Sequence, residues 1–399
     1  MGSEELSRVE IHSLSTLHFR NLASTAVEFH PGLNLIVGDN GQGKTTLLEA
    51  LALLAGRPSF RTSNLLEVVL DSQKAAFVSG RIVPSGAAAA KEAPFRTLGL
   101  QLDGGRLRHA LDGRSVGRLE ARRLLPSVFL TREDFGRLTG PPAARRGAVD
   151  RVALVLDPRH ASHLRRYEAA RAAKTKLLSE VMPCDPAALG SFEEILVGAG
   201  ALVAVGRRRA LAALAGRLRH HAILLGSPFP EPTLRLRSDL PAEAEVDSLE
   251  AAFRAAIDGA RSEERRRGRC VVGPHLDDVE LVSGEVPLAA RASSGESRTL
   301  VLAWTLAEVD VIREVAGEPP LIAFDDFDSE WDPGALDRFA AAIEDEGQLF
   351  LTSARPDAVL GLPLPSGSLL RVEEGRLRRE GILGGGRTGS REGRREAAR

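Results

Sequence analysis

The stretch from Gly38 to Thr45 reads G-x-x-x-x-G-K-T, and far downstream an apolar run ends in two adjacent acids, Asp325 and Asp326. Both patterns suit phosphate chemistry. Gly38, Gly41 and Gly43 let the backbone turn its amides inward, with Asp39, Asn40, Gln42 and Thr46 completing the expected binding loop. In this pattern Lys44 reaches the β- and γ-phosphates of a nucleoside triphosphate and Thr45 holds a magnesium ion. At the end of a buried strand, Asp325 supports the water shell of the same ion, and Asp326 orients or deprotonates an attacking water. Lys44, Asp325 and Asp326 are therefore the expected catalytic set, with Thr45 and Asp325 as magnesium ligands.

Such a loop needs a strand before it and a helix after it. The apolar run LNLIV precedes Gly38 and the amphipathic stretch TTLLEALALLAG follows Lys44, so both are predicted, and the helix N-terminus adds a positive dipole for phosphates. Leu321 to Phe324 predicts the buried strand that delivers the acids. Between the two motifs, Ser293, Ser294 and Gly295 precede a helix with Leu300, Leu302, Trp304, Leu306 and Val309 as apolar positions. A serine and a glycine there offer a second anion site; taken alone, a serine N-cap is the better explanation.

At 399 residues the chain is long for a single core, and two lobes are expected. It is 43% hydrophobic and 27% charged, and its sequence offers no apolar run that reads as a membrane span. The polar, acidic N-terminus MGSEELSRVE lacks a signal-peptide pattern. Cys184 and Cys270 stand far apart without metal-ligand spacing, as in a cytosolic protein. A net charge of −1 argues against bulk attraction to nucleic acid, and 4% aromatic content supplies few stacking platforms for single strands. The basic side chains are nearly all arginine, which suits phosphate contacts but is better explained by a GC-rich genome.

Residues 1–140 read as strands feeding the loop, a first helix, and further strand-like pieces with a hairpin loop at GAAAAKEAP. Residues 141–268 read as helical: Arg159 to Val181, Phe192 to Leu225 after the turn PCDP, and Asp247 to Arg267. Leu211, Leu214, Leu218, His221 and Leu225 alternate in spacings of three and four, a short coiled-coil-like seam. Strand-like sequence returns at 269–383, and the tail 384–399, rich in glycine and arginine, has no apolar face and reads as disordered. The fold class is α/β, an ATPase lobe interrupted by a helical second lobe.

The loop, the serine-glycine helix start and the paired acids together resemble the ATP-binding-cassette ATPases, with SSGE in the place of the superfamily's SGGQ signature and FDSEWD resembling its D-loop. The resemblance implies two ATP molecules, each with Mg2+, sandwiched in a head-to-tail homodimer, with Ser293 and Gly295 of one subunit capping the nucleotide of the other. Lys44 and Ser293 stand much farther apart than in a transporter's nucleotide-binding domain. That insertion is similar to the branch holding the chromosome structural-maintenance and break-repair ATPases, although it is too short for their long coiled coils. In detail the chain is similar to the RecF family of bacterial recombinational-repair proteins through HFRNL, GDNGQGKTTLLEAL, GRPSFRTS, FLTREDFGRLTGPPAARR, GPHLDDVEL and SSGESRTLVLAWTLAE.

That resemblance implies ATP hydrolysis, binding of double-stranded or gapped DNA, RecR- and RecO-like mediator partners and recombinase loading; the departures from the family pattern below point to slow turnover, and the composition to a cytoplasmic location without membrane contact. Candidate phosphate contacts to DNA are Arg57, Arg61, Arg122, Arg123, Arg145, Arg146, Arg207, Arg208 and Arg209. Arg61 leads them, because in similar proteins an arginine of that segment touches either ATP or DNA. Glu296 replaces a usual glutamine, so either the nucleotide is held differently or Glu296 turns toward an arginine such as Arg298. Leu276 replaces an arginine within GPHxDD, Thr46 an asparagine, and Arg132 the proline of P-E-D. Two other functions stay open: a short-armed cassette ATPase of another system, such as defence with a separate nuclease, and a RecF-like binding module with weak ATPase activity.

Overall fold

The computed structural model describes residues 9–84, 95–179, 186–241, 245–327, 333–343, 347–355, 362 and 364–383. The GAAAAKEAP loop, the PCDP turn up to Asp185, FDSEWD beyond Phe327 and the tail from 384 lie outside them. The chain begins β1 (Val9–Leu17), β2 (Thr25–Glu28), β3 (Leu33–Val37), α1 (Lys44–Leu54), β4 (Ala75–Pro84), β5 (Arg96–Asp103), β6 (Arg106–Leu111), β7 (Arg114–Val116), α2 (Arg118–Leu124), β8 (Ser127–Leu130) and the one-turn α3 (Arg132–Phe135). It continues with α4 (Pro142–Leu156), α5 (His160–Ser179), α6 (Pro186–Leu224), β9 (Pro232–Arg237), α7 (Val246–Arg267), β10 (Asp278–Ser283), β11 (Val286–Pro287) and α8 (Ser294–Ala316). It closes with β12 (Leu321–Phe324), α9 (Pro333–Ala342), β13 (Leu349–Ser353), β14 (Gly367–Glu373) and β15 (Arg376–Leu383).

Two compact units divide these elements. The first comprises residues up to Asp134, Leu224–Gly226 and the chain from Ile312 onward. It holds two six-stranded sheets, an antiparallel one ordered β2-β1-β4-β5-β6-β7 and a mostly parallel one ordered β15-β14-β3-β13-β12-β8. Strands β3, β12 and β13 are buried along their whole length, as parallel strands covered on both faces must be. Helix α1 has ten of its eleven residues buried, so it needs cover on every side. Its Leu47, Leu51 and Leu54 join one core with Ile11, Val78 and Leu100 of the antiparallel sheet and Ile36, Ala323 and Phe350 of the parallel sheet. Each leucine fully buried there contributes about 1.5–3 kcal/mol.

The second unit comprises Phe135–Ile223 and Ser227–Val311. Tyr167, Val203, Leu249 and Phe253 form its core with neighbours from α5, α6 and α7. The expected helices are present, α6 running unbroken for 39 residues. Leu214 and Leu218 of the seam are fully buried, and His221 beside them bonds Asp310 at 2.6 Å. By length and hydropathy the stretch Ala187–Leu224 would suffice to cross a membrane, contrary to the sequence expectation, but half of the apolar window is buried inside the protein.

The unit boundaries also differ from the expected 140 and 268. Strand-like sequence after Gly268 suggests a return to the ATPase lobe, yet β10 pairs antiparallel with β9. Just before β10, Asp277 accepts from Arg207 of α6 at 2.9 Å, and Asp278 accepts from Arg145 of α4 at 2.8 and 2.9 Å. These partners tie the start of β10 to the second unit, which extends to Val311.

Arg207 is almost fully buried, and besides Asp277 it binds Asp150 through two bonds of 2.9 Å and the Pro274 carbonyl at 2.5 Å. Removing one member of such a set leaves charge uncompensated in the interior. We expect Arg207→Met to cost about 3–5 kcal/mol in denaturant unfolding, whereas Arg209→Met, at an exposed neighbouring position, changes stability by no more than about 0.5 kcal/mol.

Candidate functional site

The loop after β3 turns through three left-handed glycines, with φ of 155° at Gly38, 81° at Gly41 and 121° at Gly43, the last capping α1. Its outer side rests on the β14–β15 hairpin. The turn donates Glu374 N–H to Gln42 Oε1 at 2.6 Å and Gly375 N–H to the Gln42 carbonyl at 3.0 Å. On the inner side Asn21 Nδ2 donates to the Gly41 carbonyl at 3.0 Å. Lys44, almost wholly buried, donates from Nζ to the carbonyls of Gly38 at 2.7 Å and Asp39 at 3.1 Å. The first turn of α1 carries no acid, so its dipole is unopposed at the loop.

Facing this loop is the end of β12. Strand β13 lies between β3 and β12 and pairs in parallel with both, so all three deliver their C-terminal ends to one edge, where open α/β sheets bind ligands. Thr45 Oγ1 lies 2.8 and 3.0 Å from the two oxygens of Asp325, a residue 280 positions away. Thr352 of β13 donates to Asp325 Oδ1 at 2.8 Å and accepts the Asp326 N–H at 2.7 Å. Burial pushes the Asp325 carboxyl above its usual range, opposed by the hydroxyls of Thr352 and Thr45 and the charge of Lys44. Asp326 is held at φ 54°, a conformation that costs a non-glycine residue energy and is found at functional sites.

A cavity of about 460 Å³ joins these parts. Asn40, Gly41, Gly43, Lys44, Thr45 and Thr46 line one side and Asp325 and Asp326 another. Arg20, Asn21, Arg61 and Arg132 complete it. The glycine cradle, lysine and helix end suit a polyphosphate. Among the described residues no group of three His, Cys, Asp or Glu could hold a metal, so one hydroxyl and one carboxylate form the donor set. That set fits a magnesium ion completing its shell with phosphate and water oxygens.

Of the residues singled out in the sequence, Asn40, Gly41, Gly43, Lys44, Thr45, Thr46, Arg61, Asp325 and Asp326 meet around one cavity, and four further residues join them at the site. Arg20 and Asn21 lie within HFRNL, and Arg132 stands where the family's P-E-D element has proline. Thr352 carried no signal beyond its place at the end of an apolar run. Asp39 and Gln42 belong to the loop but line a second hollow of about 570 Å³ with Gly38 and the hairpin residues Arg371 and Arg376.

Ser293 and Gly295 start α8 in the second unit. The Ser293 N–H donates to Glu296 Oε2 at 2.8 Å, and the Glu296 N–H donates to Ser293 Oγ at 3.3 Å, a reciprocal cap. Hydrogen bonding to its carboxyl from the Ser293 backbone N–H, and secondly from the Ser293 side chain, holds Glu296 below its usual range. Of the two alternatives for Glu296, a turn toward Arg298 is not seen; that guanidinium lies over the Phe135 ring at 5.1 Å.

The arginines singled out for DNA divide by environment. Arg145 and Arg207 are buried on Asp278, Asp150 and Asp277, which corrects their assignment as phosphate contacts. Arg57 is buried as well. Arg122 donates to the Gly56 carbonyl, Arg146 to that of Asp277 and Arg208 to that of Pro241. Arg123 and Arg209 are exposed, and the Arg61 side chain is 40% exposed. The GPHLDD element explains itself as the partner of these arginines, with His275 bonded to Tyr167 at 2.6 Å and Leu276 exposed.

The hairpin support for the loop depends on Gly375, which sits at φ 74° with room for no side chain: a Cβ there would lie 2.0 Å from the Asn21 carbonyl. Gly375→Ala is expected to lose about 2 kcal/mol or more in denaturant unfolding, with weakened nucleotide binding as the loop loses its backing.

The RecF/RecN/SMC N terminal domain family matches residues 10–362. The DNA replication and repair protein RecF of Limosilactobacillus reuteri is 30% identical over 374 residues, 92% of this chain and 97% of that protein. The corresponding protein of Deinococcus radiodurans is 31% identical over 381 residues, covering 94% and 99%. A solved structure of the recombination mediator protein RecF-ATP in the RecFOR pathway shares the fold at a TM-score of 0.81 and 22% identity, covering 96% of this chain and 100% of that one. The Smc head domain of Pyrococcus furiosus, with an extended coiled coil, is similar at a TM-score of 0.53 and 16% identity over 98% of each chain. The chain belongs to the RecF/RecN/SMC family and, within it, to RecF.

Proposed function

We propose that this chain is an ATP-dependent DNA-binding protein of recombinational repair and replication-fork maintenance. The observation that carries the reading is the Thr45–Asp325 contact inside a cavity shared with Lys44, together with RecF relatives that include an ATP-bound structure. In this reading Lys44 swings from the loop carbonyls to the β- and γ-phosphates, and Thr45 and Asp325 hold Mg2+. The ion supplies charge neutralisation across the phosphates. Asp326, fixed by Thr352, orients the attacking water and accepts its proton. Arg61 lies beside Thr46 at 3.3 Å and adds positive charge on the same wall.

Hydrolysis then works as a switch. ATP joins two copies of the chain, with Ser293 and Gly295 of each capping the nucleotide on the other's loop, and loss of the γ-phosphate releases them. The reciprocal Ser293–Glu296 cap keeps the Glu296 carboxylate occupied with the helix start, which answers the expected repulsion of a triphosphate. The closed dimer binds duplex DNA near gaps through exposed arginines such as Arg123 and Arg209, and RecR- and RecO-like mediators use it to load recombinase. Such work belongs in the cytoplasm.

The test is duplex-DNA binding at fixed salt with ATP, ADP or no nucleotide, with the protein's mass followed in parallel. Tight binding and dimer mass only with ATP, both lost in Lys44→Met and Ser293→Arg, are expected. Asp326→Asn should hold the ATP dimer while cutting turnover by about a hundredfold or more. DNA affinity should fall steeply with salt. Binding indifferent to nucleotide would point to a module with a dispensable ATPase, and dimerisation without DNA binding to a cassette ATPase of another system.

A further inference from the structure

Arg20 and Arg61 stand on the cavity wall beside Lys44 and Thr46, and both reach one carboxylate. Glu49 lies one helical turn beyond Thr45 on α1 and is fully buried. Arg20 grips it with two near-parallel bonds, Nε to Oε2 at 2.5 Å and Nη2 to Oε1 at 2.8 Å. Arg61 Nη1 stands 3.6 Å from Oε2. The Ser59 hydroxyl donates to Oε1 at 2.5 Å and accepts the N–H groups of Arg61 and Thr62, both at 3.1 Å. The loop that carries Arg61 is thereby folded onto the carboxylate that also fixes Arg20.

Two guanidiniums and an ammonium on one wall repel one another unless an anion lies between them. Bidentate geometry fixes direction as well as energy, and the rest of the wall repeats the pattern. Arg61 also donates to Thr46 Oγ1 at 3.3 Å, and the Thr46 hydroxyl donates to Asn21 at 2.9 Å. Arg20 donates in addition to the Glu67 carbonyl at 3.1 Å, from a backbone at φ 46°. A residue held in that strained region needs surroundings that impose it.

We propose that Glu49 is a positioning residue of the nucleotide site: without touching nucleotide, it sets the Arg20 and Arg61 guanidiniums against the polyphosphate. The proposal rests on the reading of this cavity as the ATP site. It has a distinctive sign. Counting charge alone, neutralising Glu49 makes the wall more positive and strengthens phosphate binding. If Glu49 acts by placement, neutralising it weakens binding, and most for the nucleotide with most phosphates.

The experiment is calorimetric titration of the full chain with ATP, ADP and AMP in magnesium buffer, for wild type, Glu49→Gln, Glu49→Asp and Lys44→Ala. Glu49→Gln should bind ATP about tenfold more weakly, the scale of a lost charge-assisted contact, with a smaller loss for ADP and none for AMP. Glu49→Asp, which keeps the charge but withdraws it by one methylene, should fall between. Tighter or unchanged ATP binding by Glu49→Gln overturns the proposal, and so does an equal loss for all three nucleotides, which marks a purely structural ion pair. If Glu49→Gln does not fold, Ser59→Ala removes one of its bonds and should lower ATP affinity relative to AMP; an unchanged ratio overturns the proposal. ATP binding that Lys44→Ala leaves intact overturns the assignment of the cavity itself, and the proposal with it.

Discussion

A helix with almost no face for water has to be enclosed, and the first unit is built around that requirement. Ten of the eleven residues of α1 are buried, with an antiparallel sheet contributing one wall of its core and a mostly parallel sheet another. Enclosure fixes the helix axis, and the axis fixes where its N-terminus points. The phosphate-binding loop inherits its position from that packing. Lys44, Thr46 and Glu49 are polar members of the buried set, and each is bonded within the site or its wall.

The order of the parallel sheet then determines which chemistry meets at the loop. Because β13 lies between β3 and β12, the strand bearing Asp325 ends beside the helix start that bears Thr45. The intervening strand supplies Thr352, whose single hydroxyl serves both acids. The opposite side of the loop is backed by the β14–β15 turn through Gln42. The loop is thus held from two sides, which suits a cradle that must keep its shape for phosphates.

Arginine is abundant here, and its roles are separated by burial rather than by sequence context. In the second unit Arg145 and Arg207 sit on carboxylates of the GPHLDD element, where they hold β10 to α4 and α6. Arg20 and Arg61 in the first unit share Glu49 at the cavity wall. Arg123 and Arg209 face water. Adjacent residues such as Arg207 and Arg209 look alike in sequence, yet one is an interior ion-pair partner and the other a surface charge.

Much of the site was legible in the sequence because it is local. The glycine spacing, the lysine and the hydroxyl of the loop are set by backbone geometry over eight residues, and the strand carrying Asp325 announces itself by an unbroken apolar run. The helices of the second unit were legible for the same reason, since periodicity is a property of neighbouring residues. What only the tertiary structure decided involves partners remote in sequence: Thr352 at Asp325, Arg20 on Glu49, and Asp277 on Arg207. The unit boundary belongs with these, because a strand's allegiance depends on which distant strand completes its hydrogen bonds, and β10 found β9. Glu296 shows the limit from the other side: serine followed three residues later by glutamate is a local capping pattern, and its physics was already present in four consecutive residues.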